Sequence, residues 1–375
     1  MRHSFYFLLI SFMMFSCPFY ACSSSDEEPI DPGTEPPVTV EVPSAKGVTD
    51  MALIYHTYVN RPKWTSGELK HYLFRENDKK VEWLFDGFLF LEIYARVNGV
   101  EYDYGVSNAE KKAPGKAVWE YLLRETFDTG RGPNALEIVL DSLARKDITP
   151  PYKRQVMISI PNPQHGQKDW GLLNGKAMDF NKPEDRLTAA YWYVDRVLEE
   201  WKKRDYKYLD FAGFYWLHET IDYHFGDDNL IKGVQKYLEQ KGIGLCWIPY
   251  YGALGADKWT DFGFEIAYQQ PNYFFNPETP LSIITGALDY AKRYNLALEM
   301  EFDDRVTDET YRNRFYTYIE EFEKAGVWND KPVAYYQGTS GWMTMATSRN
   351  SELQKACKTL GDILVKRQGK FSTIK

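Results

Sequence analysis

The chain has 375 residues, with 45 Lys and Arg against 53 Asp and Glu, and a formal net charge of −8. Charges of both signs are mixed and no basic cluster occurs, which argues against a nucleic-acid partner. Only four cysteines are present and two of them, Cys17 and Cys22, lie near the start, so a disulfide framework does not organise the fold. Whether Cys246 and Cys357 pair with each other is left open by the sequence.

The first residues are typical of an export signal. Arg2 gives a positive start, and the apolar run Phe5–Met14 is too short to span a bilayer. Cys22 follows a small residue and precedes a serine-rich, acidic stretch, which resembles the lipobox of Bacteroidetes lipoproteins. The resemblance implies a signal peptide at residues 1–21, a lipid on Cys22, and an outer-membrane lipoprotein that faces the cell surface, with the lipid as its only membrane contact. Cys17 as the acceptor and secretion without a lipid are the alternatives.

Behind this signal, the composition predicts one linker and one domain. Residues 22–48 are rich in Pro, Glu, Ser and Thr, which predicts an extended, disordered linker, with an ordered strand near Val40 as the alternative. Residues 49–375 contain no second linker, and we expect a single domain that is a monomer. Brief apolar runs alternate there with longer amphipathic segments, which favours β/α units around a parallel sheet.

Eight apolar runs predict eight buried strands: Met51–Tyr55, Gly87–Leu91, Val156–Ile160, Phe211–Leu217, Gly244–Pro249, Phe264–Tyr268, Leu296–Phe302 and Val333–Tyr336. The clearest helical patterns between them are Glu184–Arg204, Asn229–Lys241, Leu281–Tyr294, Glu309–Ala325 and Glu352–Val365. Eight strands separated by helices within one domain predict a (β/α)₈ TIM barrel, an α/β fold. No glycine-rich phosphate turn follows the first strand, so an open nucleotide-binding sheet is not favoured and no cofactor is expected.

Carboxylates lie where two of these strands end. In a (β/α)₈ barrel the chemistry occurs at the C-terminal ends of the strands. The fourth run ends in His218 and Glu219, and the seventh carries Glu299 and Glu301 on one face because strand side chains alternate. A buried, unpaired carboxylate is costly, so such a face is expected to serve a function. We predict this for Glu301, and we interpret Glu299 as a structural residue held by partners inside the barrel.

Glutamates that end the fourth and seventh strands resemble those of clan-A retaining glycoside hydrolases. The resemblance implies that Glu219 is the acid/base and Glu301 the nucleophile, separated by about 5–5.5 Å. It also implies a tyrosine after the sixth strand that hydrogen-bonds the nucleophile and keeps its pKa low, and Tyr268 is predicted to fill this role. The chain departs from the clan at His218, where Asn is usual, and we expect His218 to position the substrate or Glu219.

A narrower resemblance covers about Asp50–Val365. The stretches Phe85–Leu91, Gly213–Glu219 and Leu298–Asp303 look like domain-of-unknown-function family 4855 of Bacteroidetes. Membership implies a glycosidase-like barrel and does not identify the sugar.

Further substrate-binding residues are predicted where other strands end: His56, Glu92, Asp303, Gln337 and Trp342. No metal site is predicted, because His218 and His224 lack the helical i, i+4 spacing of zinc peptidases.

These patterns leave two functions open. The first is a surface-anchored retaining glycoside hydrolase that acts on a poly- or oligosaccharide. The second is a glycan-binding lipoprotein on the same barrel, without catalysis. A peptidase or esterase is disfavoured, because the chain has neither a Gly-x-Ser-x-Gly elbow nor a zinc-binding helix.

Overall fold

A computed structural model describes residues 47–105 and 110–371, all within one compact unit, Glu41–Lys375. The predicted signal peptide, Cys22 and the predicted linker up to residue 46 lie outside the described residues. Val48, the last residue of that linker, is fully buried in the domain core.

Eight parallel strands form a closed barrel in the order β1-β8-β7-β6-β5-β4-β3-β2. They are β1 (Asp50–Tyr55), β2 (Gly87–Leu91), β3 (Arg154–Ile160), β4 (Leu209–Trp216), β5 (Gly244–Trp247), β6 (Ile266–Gln269), β7 (Ala297–Glu301) and β8 (Val333–Tyr336). Every residue of β1, β2, β3, β6 and β7 is buried. Strands that are covered on both faces consist of nearly continuous apolar runs, and these runs made the strands recognisable in the sequence. The predicted TIM barrel is confirmed.

Helices cover the outside of this barrel. In the described residues they are α1 (Ser66–Leu73), α2 (Lys116–Thr126), α3 (Gly132–Ala144), α4 (Pro183–Arg204), α5 (Asp227–Glu239), α6 (Leu281–Arg293), α7 (Glu309–Lys324), α8 (Val327–Asp330), α9 (Gly341–Thr347) and α10 (Ser351–Arg367). The longest, α4, has Pro183 in its first turn, acidic residues behind it and basic residues in its last turn, as the helix dipole favours. None of the helices described is long and apolar enough to cross a membrane.

Some connections differ from a simple β/α repeat. Short antiparallel hairpins follow β1 (Phe74–Asn77 with Lys80–Trp83), β2 (Tyr94–Val97 with Val100–Asp103) and β3 (Leu172–Leu173 with Lys176–Ala177). Between β5 and β6 the connection forms a 3₁₀ helix, Ala256–Phe262, in place of an α-helix. Gly255 and Gly263 bound it with φ of 84° and 83°, so the chain leaves the helical region on both sides.

A β-bulge at Gly213 interrupts the pairing of β4 with β3. The pairing of β4 with β3 shifts register between Phe211 and Gly213. Gly213 has φ of +153°, and a Cβ there would lie 2.7 Å from the carbonyl oxygen of Gly244. The bulge therefore requires glycine, and it sets the alternation of the side chains in the remainder of β4.

The N-terminal ends of the strands are closed by a polar network that we call the barrel floor: Asp50, Asp86, Tyr152, Tyr335 and Arg367. Arg367 comes from the last turn of α10, and its Nε lies 3.0 Å from Oδ1 of Asp50. The hydroxyl of Tyr335 donates to Asp50 at 2.7 Å, and that of Tyr152 donates to Asp86 at 2.8 Å. The backbone N–H of Asp50 also donates to Asp86 at 2.8 Å. The floor thus joins β1 and β2 to the C-terminal helix.

Cys246 and Cys357 are both free thiols, Cys246 buried in β5 and Cys357 half-buried in α10. The question that the sequence left open is thereby answered: the two cysteines do not form a disulfide.

Candidate active site

A cavity of about 160 Å³ lies at the C-terminal ends of the strands. Its walls come from the C-terminal halves of the strands and from the segments that follow them, as expected for a (β/α)₈ site. It is lined by Leu53, Tyr55, Ile93, Tyr215, Glu219, Ile248, Gln270, Phe275, Glu299, Glu301 and Tyr336. The structure therefore brings together the two predicted catalytic residues, one after β4 and one at the end of β7.

Glu219 is a partly exposed residue in the cavity wall. Loss of water around its carboxyl group raises its pKa to about 7, against a smaller lowering effect of a hydrogen bond from Gln270. The neighbouring His218 adds a weak electrostatic effect in the same lowering direction. Glu219 therefore holds a proton up to neutral pH, which a general acid requires.

Glu301 is the last residue of β7 and is fully buried. The hydroxyl of Tyr318 on α7 donates to its Oε2, and backbone hydrogen bonds from Asn272 and Tyr273 also favour the ionised form. Desolvation outweighs these donors and raises the pKa of Glu301 to about 7. Its Oε1 is buried without a hydrogen-bond partner among the described residues.

Glu299 is the third carboxyl group of the cavity. It lies two residues before Glu301 on the same face of β7, and only 2% of it is exposed. Burial raises its pKa well above the ordinary value, and repulsion from Glu301 and Glu219 raises it further. Within the described part of the chain it forms no ion pair and no hydrogen bond, so the partners predicted for it inside the barrel are absent and that interpretation is wrong.

The remaining walls are largely aromatic. Tyr55 and Tyr336 end the adjacent strands β1 and β8, and their rings meet edge to face with centroids 5.7 Å apart. Phe275, from the segment after β6, packs on Tyr336 in the same manner at 5.4 Å. An aromatic wall beside carboxyl groups suits a sugar, which has apolar faces and polar edges.

Two arginines that contact residues of the cavity wall are already paired with other carboxylates. Arg61 stacks on the ring of Tyr55 at 4.7 Å and forms an ion pair with Glu92, with Nε and Oε2 3.2 Å apart. Arg305 pairs with Asp303 at 2.7 Å.

Tyr268 does not have the role predicted for it. Its hydroxyl is buried without a hydrogen-bond partner among the described residues, and Tyr318 donates to Glu301 in its place. The reason is the position of β6, which runs to Gln269 rather than ending at Tyr268. Tyr268 pairs with Ala297, four residues before Glu301, so it lies about 13 Å below the end of β7 at about 3.3 Å per residue.

Two further predicted residues have structural roles behind the cavity wall. Both ring nitrogens of His56 are engaged, Nδ1 with the carbonyl oxygen of Leu91 at 3.0 Å and Nε2 with Oγ1 of Thr126 at 2.7 Å. Burial lowers the pKa of His56. Glu92 is fully buried and accepts hydrogen bonds from the backbone N–H groups that follow β1, in addition to its pair with Arg61. Neither side chain lines the cavity.

Gln337 and Trp342 are also structural rather than part of the cavity. Oε1 of Gln337 accepts from the hydroxyl of Tyr72 at 2.6 Å, and its Nε2 donates to the carbonyl oxygen of Leu53 at 3.1 Å. Trp342 is 1% exposed, and its Nε1 donates to the carbonyl oxygen of His71 at 2.7 Å. These hydrogen bonds link the segment after β8 to β1 and α1.

His218 and Asp303 lie beside the cavity but do not line it. Nδ1 of His218 is 3.3 Å from Oδ2 of Asp227, which also pairs with Arg186. Asp303 accepts from the backbone N–H of Arg305 at 2.8 Å as well as from its guanidinium group. Both side chains therefore support the segments that follow β4 and β7.

Sequence reasoning missed Tyr318 and the presence of Glu299 in the cavity wall. Tyr318 lies on α7, sixteen residues after Phe302, where the predicted strand ends, and no strand-end rule points to it. Glu299 had a usable signal, because it shares a strand face with Glu301. Among the residues described, no group of three or more His, Cys, Asp or Glu side chains is arranged to hold a metal ion.

Comparison with known proteins gives a family and distant structural similarities. A family model described as "Domain of unknown function (DUF4855)" matches residues 50–361. No curated protein matches the chain. The catalytic domain of a family GH18 chitinase from the fern Peteris ryukyuensis has 12% sequence identity and a TM-score of 0.40, over 83% of this chain and 98% of that one.

Two bacterial structures are similar to the same degree. The GH18 chitinase ChiB from the chitin utilization locus of Flavobacterium johnsoniae has 10% identity and a TM-score of 0.40, over 85% of this chain and 95% of that one. A chitinase from Chromobacterium violaceum has 11% identity and a TM-score of 0.36, over 84% and 98%. These identities and TM-scores are too low to carry an argument about activity.

Proposed function

The chain belongs to the family of Domain of unknown function (DUF4855), and we propose that its barrel is a retaining glycoside hydrolase acting on a poly- or oligosaccharide. In this proposal Glu219 is the general acid/base and Glu301 the nucleophile. The observation that carries it is that both carboxyl groups, from the ends of β4 and β7, line one cavity.

The chemistry needs two carboxyl groups with opposite protonation. One protonates the leaving oxygen, and the other, ionised, attacks the anomeric carbon to form a glycosyl-enzyme, which water then hydrolyses with the first group acting as base. Because Glu219 follows β4 and Glu301 ends β7, on strands that are not neighbours in the barrel, they can approach a bound sugar from different sides. A separation of about 5–5.5 Å is what this mechanism requires.

The surroundings of each group support this division of roles. Glu301 accepts hydrogen bonds from Tyr318 and from backbone N–H groups, all of which favour its carboxylate form. Glu219 has only the amide of Gln270 as a hydrogen-bond partner in the cavity. Burial raises both pKa values to about 7, and the charge of Glu219 raises the pKa of Glu301, so states with only one of the two groups ionised are populated near neutral pH. Among those states the stronger donors favour the one with the negative charge on Glu301.

The same cavity also supports the second candidate, a glycan-binding protein without catalysis. Its aromatic wall and its three carboxyl groups could hold a sugar by stacking and hydrogen bonding alone. The raised pKa values favour this use, because protonated carboxyl groups both donate and accept hydrogen bonds.

Lipidation and location are proposals from the sequence. We propose acylation of Cys22, an outer-membrane lipoprotein that faces the cell surface, and a carbohydrate as its partner. Metabolic labelling with a fatty-acid analogue should mark the wild type and Cys17→Ala but not Cys22→Ala. Labelling that survives in Cys22→Ala would contradict the choice of acceptor.

The test of the hydrolase is a panel of activated aryl glycosides with wild type, Glu219→Gln and Glu301→Gln. Glu301→Gln should not form a glycosyl-enzyme. Glu219→Gln should still form one, because an activated leaving group needs little proton donation, and should hydrolyse it about 10²–10⁴-fold more slowly. Glu278→Gln, an exposed glutamate in the segment after β6, is the matched control and should behave as the wild type.

The stereochemistry of the product provides an independent check. NMR of the first product should show retention of the anomeric configuration. Inversion would indicate a separation of about 6.5–9.5 Å with an intervening water and would remove Glu301 as nucleophile. Undiminished turnover in both variants would exclude both residues from catalysis. Binding of glycans by the wild type without turnover would favour the second candidate.

A further inference from the structure

The cavity has an unusual balance of charge for a site with two catalytic carboxyl groups. Three of its eleven lining residues are glutamates, and no Lys, Arg or His lines it. A two-carboxylate mechanism uses Glu219 and Glu301 and leaves Glu299 without a task. Glu299 is nevertheless almost fully buried beside them, where a carboxyl group destabilises the fold.

One buried carboxylate oxygen of the cavity also lacks a partner among the described residues. Oε1 of Glu301 has no hydrogen-bond partner within the described ranges, although it is completely buried and its residue lines the cavity. Buried polar atoms are almost always satisfied in folded proteins, so an unsatisfied oxygen at a cavity is a place where a molecule in the cavity, water or sugar, can donate a hydrogen bond. A carboxylate oxygen is an acceptor, which makes the expected ligand group a donor.

The basic side chains beside the cavity, two arginines and His218, already have partners, and Nδ1 of His218 is 3.3 Å from Oδ2 of Asp227. Arg61 lies behind the ring of Tyr55 and is bound to Glu92, and its Nη1 also donates to Oγ1 of Thr339 at 3.2 Å. Arg305 donates to Asp303 and to the carbonyl oxygen of Phe275. An acidic group in the cavity would therefore lie desolvated among carboxyl groups with no counter-charge.

From this arrangement we infer that the cavity selects sugars by charge, so that it binds an amino sugar more tightly than the uncharged parent sugar and excludes sugars that carry a carboxylate, sulfate or phosphate. The inference rests on the proposed function insofar as the ligand is a sugar. Glu299 is the residue that sets the preference, because it has no ion pair or hydrogen bond within the described residues, and an ammonium group beside it supplies the counter-charge that its ionised form lacks. A charge-assisted hydrogen bond of this kind strengthens binding by about tenfold or more.

Ligand-observed NMR titration at pH 7 tests the inference. The panel consists of glucose, galactose and mannose, each as the parent sugar, the 2-amino-2-deoxy sugar and the uronic acid. For the configuration that fits the cavity, the amino sugar should bind about tenfold more tightly than the parent, and the uronic acid should bind more weakly than both. Glu299→Gln should remove the preference for the amino sugar, whereas the exposed control Glu278→Gln should keep it.

The outcomes separate this inference from the proposed hydrolase. A uronic acid that binds as tightly as its parent sugar, or an amino sugar that gains nothing over the parent, overturns charge selection and leaves the hydrolase standing. If Glu299→Gln keeps the preference, the assignment to Glu299 is overturned. If Glu299→Gln does not fold, the order of binding to the wild type still decides. If no sugar of any charge binds, the inference fails, and the turnover of aryl glycosides shows independently whether the hydrolase fails with it.

Discussion

The barrel floor and the cavity bury carboxyl groups at opposite ends of the same eight strands. At the floor, Asp50 has the guanidinium group of Arg367 beside it, and its pKa rises through burial only to about 6 because that cation lowers it. In the cavity no lining residue is a cation, and burial raises the pKa values of Glu219 and Glu301 to about 7. Both ends hold acids away from water, but only one supplies a counter-charge.

This difference separates stability from function. A buried charge with a partner holds the structure together, and removal of the partner is strongly destabilising. A buried acid without a partner costs stability and persists where the site uses it, so carboxyl groups with strongly shifted pKa values mark functional sites. In a (β/α)₈ barrel the two kinds of acid are expected at the N-terminal and C-terminal ends, respectively.

The largest expected effect comes from Glu301→Gln in the cavity. We expect turnover to fall by about 10⁴-fold or more, as for loss of other catalytic nucleophiles. We also expect the variant to be more stable than the wild type, by about 1–3 kcal/mol at pH 8.

The sign of the stability change follows from the raised pKa of Glu301. The folded state holds its proton to higher pH than the unfolded state, so wild-type stability from this group is present below about pH 4.5 and is lost as pH rises through about 7. Gln cannot ionise, so the gain should be small at pH 5 and larger at pH 8 in urea unfolding. If Glu301→Gln were less stable than the wild type at pH 8, Glu301 would be a structural acid like Asp50 of the barrel floor.

Arg367→Met at the floor should have the opposite consequence. Asp50 would lose its cation while fully buried, which should reduce the free energy of unfolding by about 3–5 kcal/mol. The folded variant should keep the kcat/KM of the wild type, because the floor is at the other end of the barrel from the cavity. Arg349→Met, at an exposed position, is the control and should leave both quantities unchanged. A loss of kcat/KM in folded Arg367→Met would show that the two ends are coupled.

Tyr318→Phe is expected to shift the pH dependence of the cavity. Its hydroxyl donates to Glu301 and lowers the pKa of that carboxyl group. In the proposed reaction kcat/KM falls at low pH as Glu301 takes up its proton, so removal of the donor should move this acidic limb to higher pH by about one unit. Tyr193→Phe removes a buried tyrosine hydroxyl that has no hydrogen-bond partner among the described residues, and it should leave the limb in place. An unmoved limb in Tyr318→Phe would show that Glu301 does not control it.

The fold could be predicted because its strands are buried on both faces. Runs such as Val156–Ile160 and Gly87–Leu91 have no polar alternation to obscure them, and their number and spacing determine a barrel. The hairpins after β1, β2 and β3 could not be derived in this way, because they pack on the surface and carry no long apolar run.

The site was predictable only where a strand carries the side chain to the cavity. Glu219 and Glu301 follow from strand ends, but strand ends do not show which way a side chain turns once the strand has finished. His56 and Gln337 both directly follow a strand, yet each turns to partners in the protein. Tyr318 reaches Glu301 from a helix, so its role depends on the packing of α7 against β7.

The smallest expected effect distinguishes two aromatic residues near the mouth, Trp342 and Phe275. Trp342→Phe removes the hydrogen bond from Nε1 to the carbonyl oxygen of His71 and should cost about 1 kcal/mol of stability with no change in kcat/KM. Phe275→Leu alters a wall of the cavity and should raise KM. It should also lower the free energy of unfolding by about 1 kcal/mol, because the ring of Phe275 packs on Tyr336. Unfolding curves and steady-state kinetics of both variants provide the measurement. If Trp342→Phe changed KM and Phe275→Leu did not, the assignment of Phe275 to the cavity wall and of Trp342 to a structural role would be wrong.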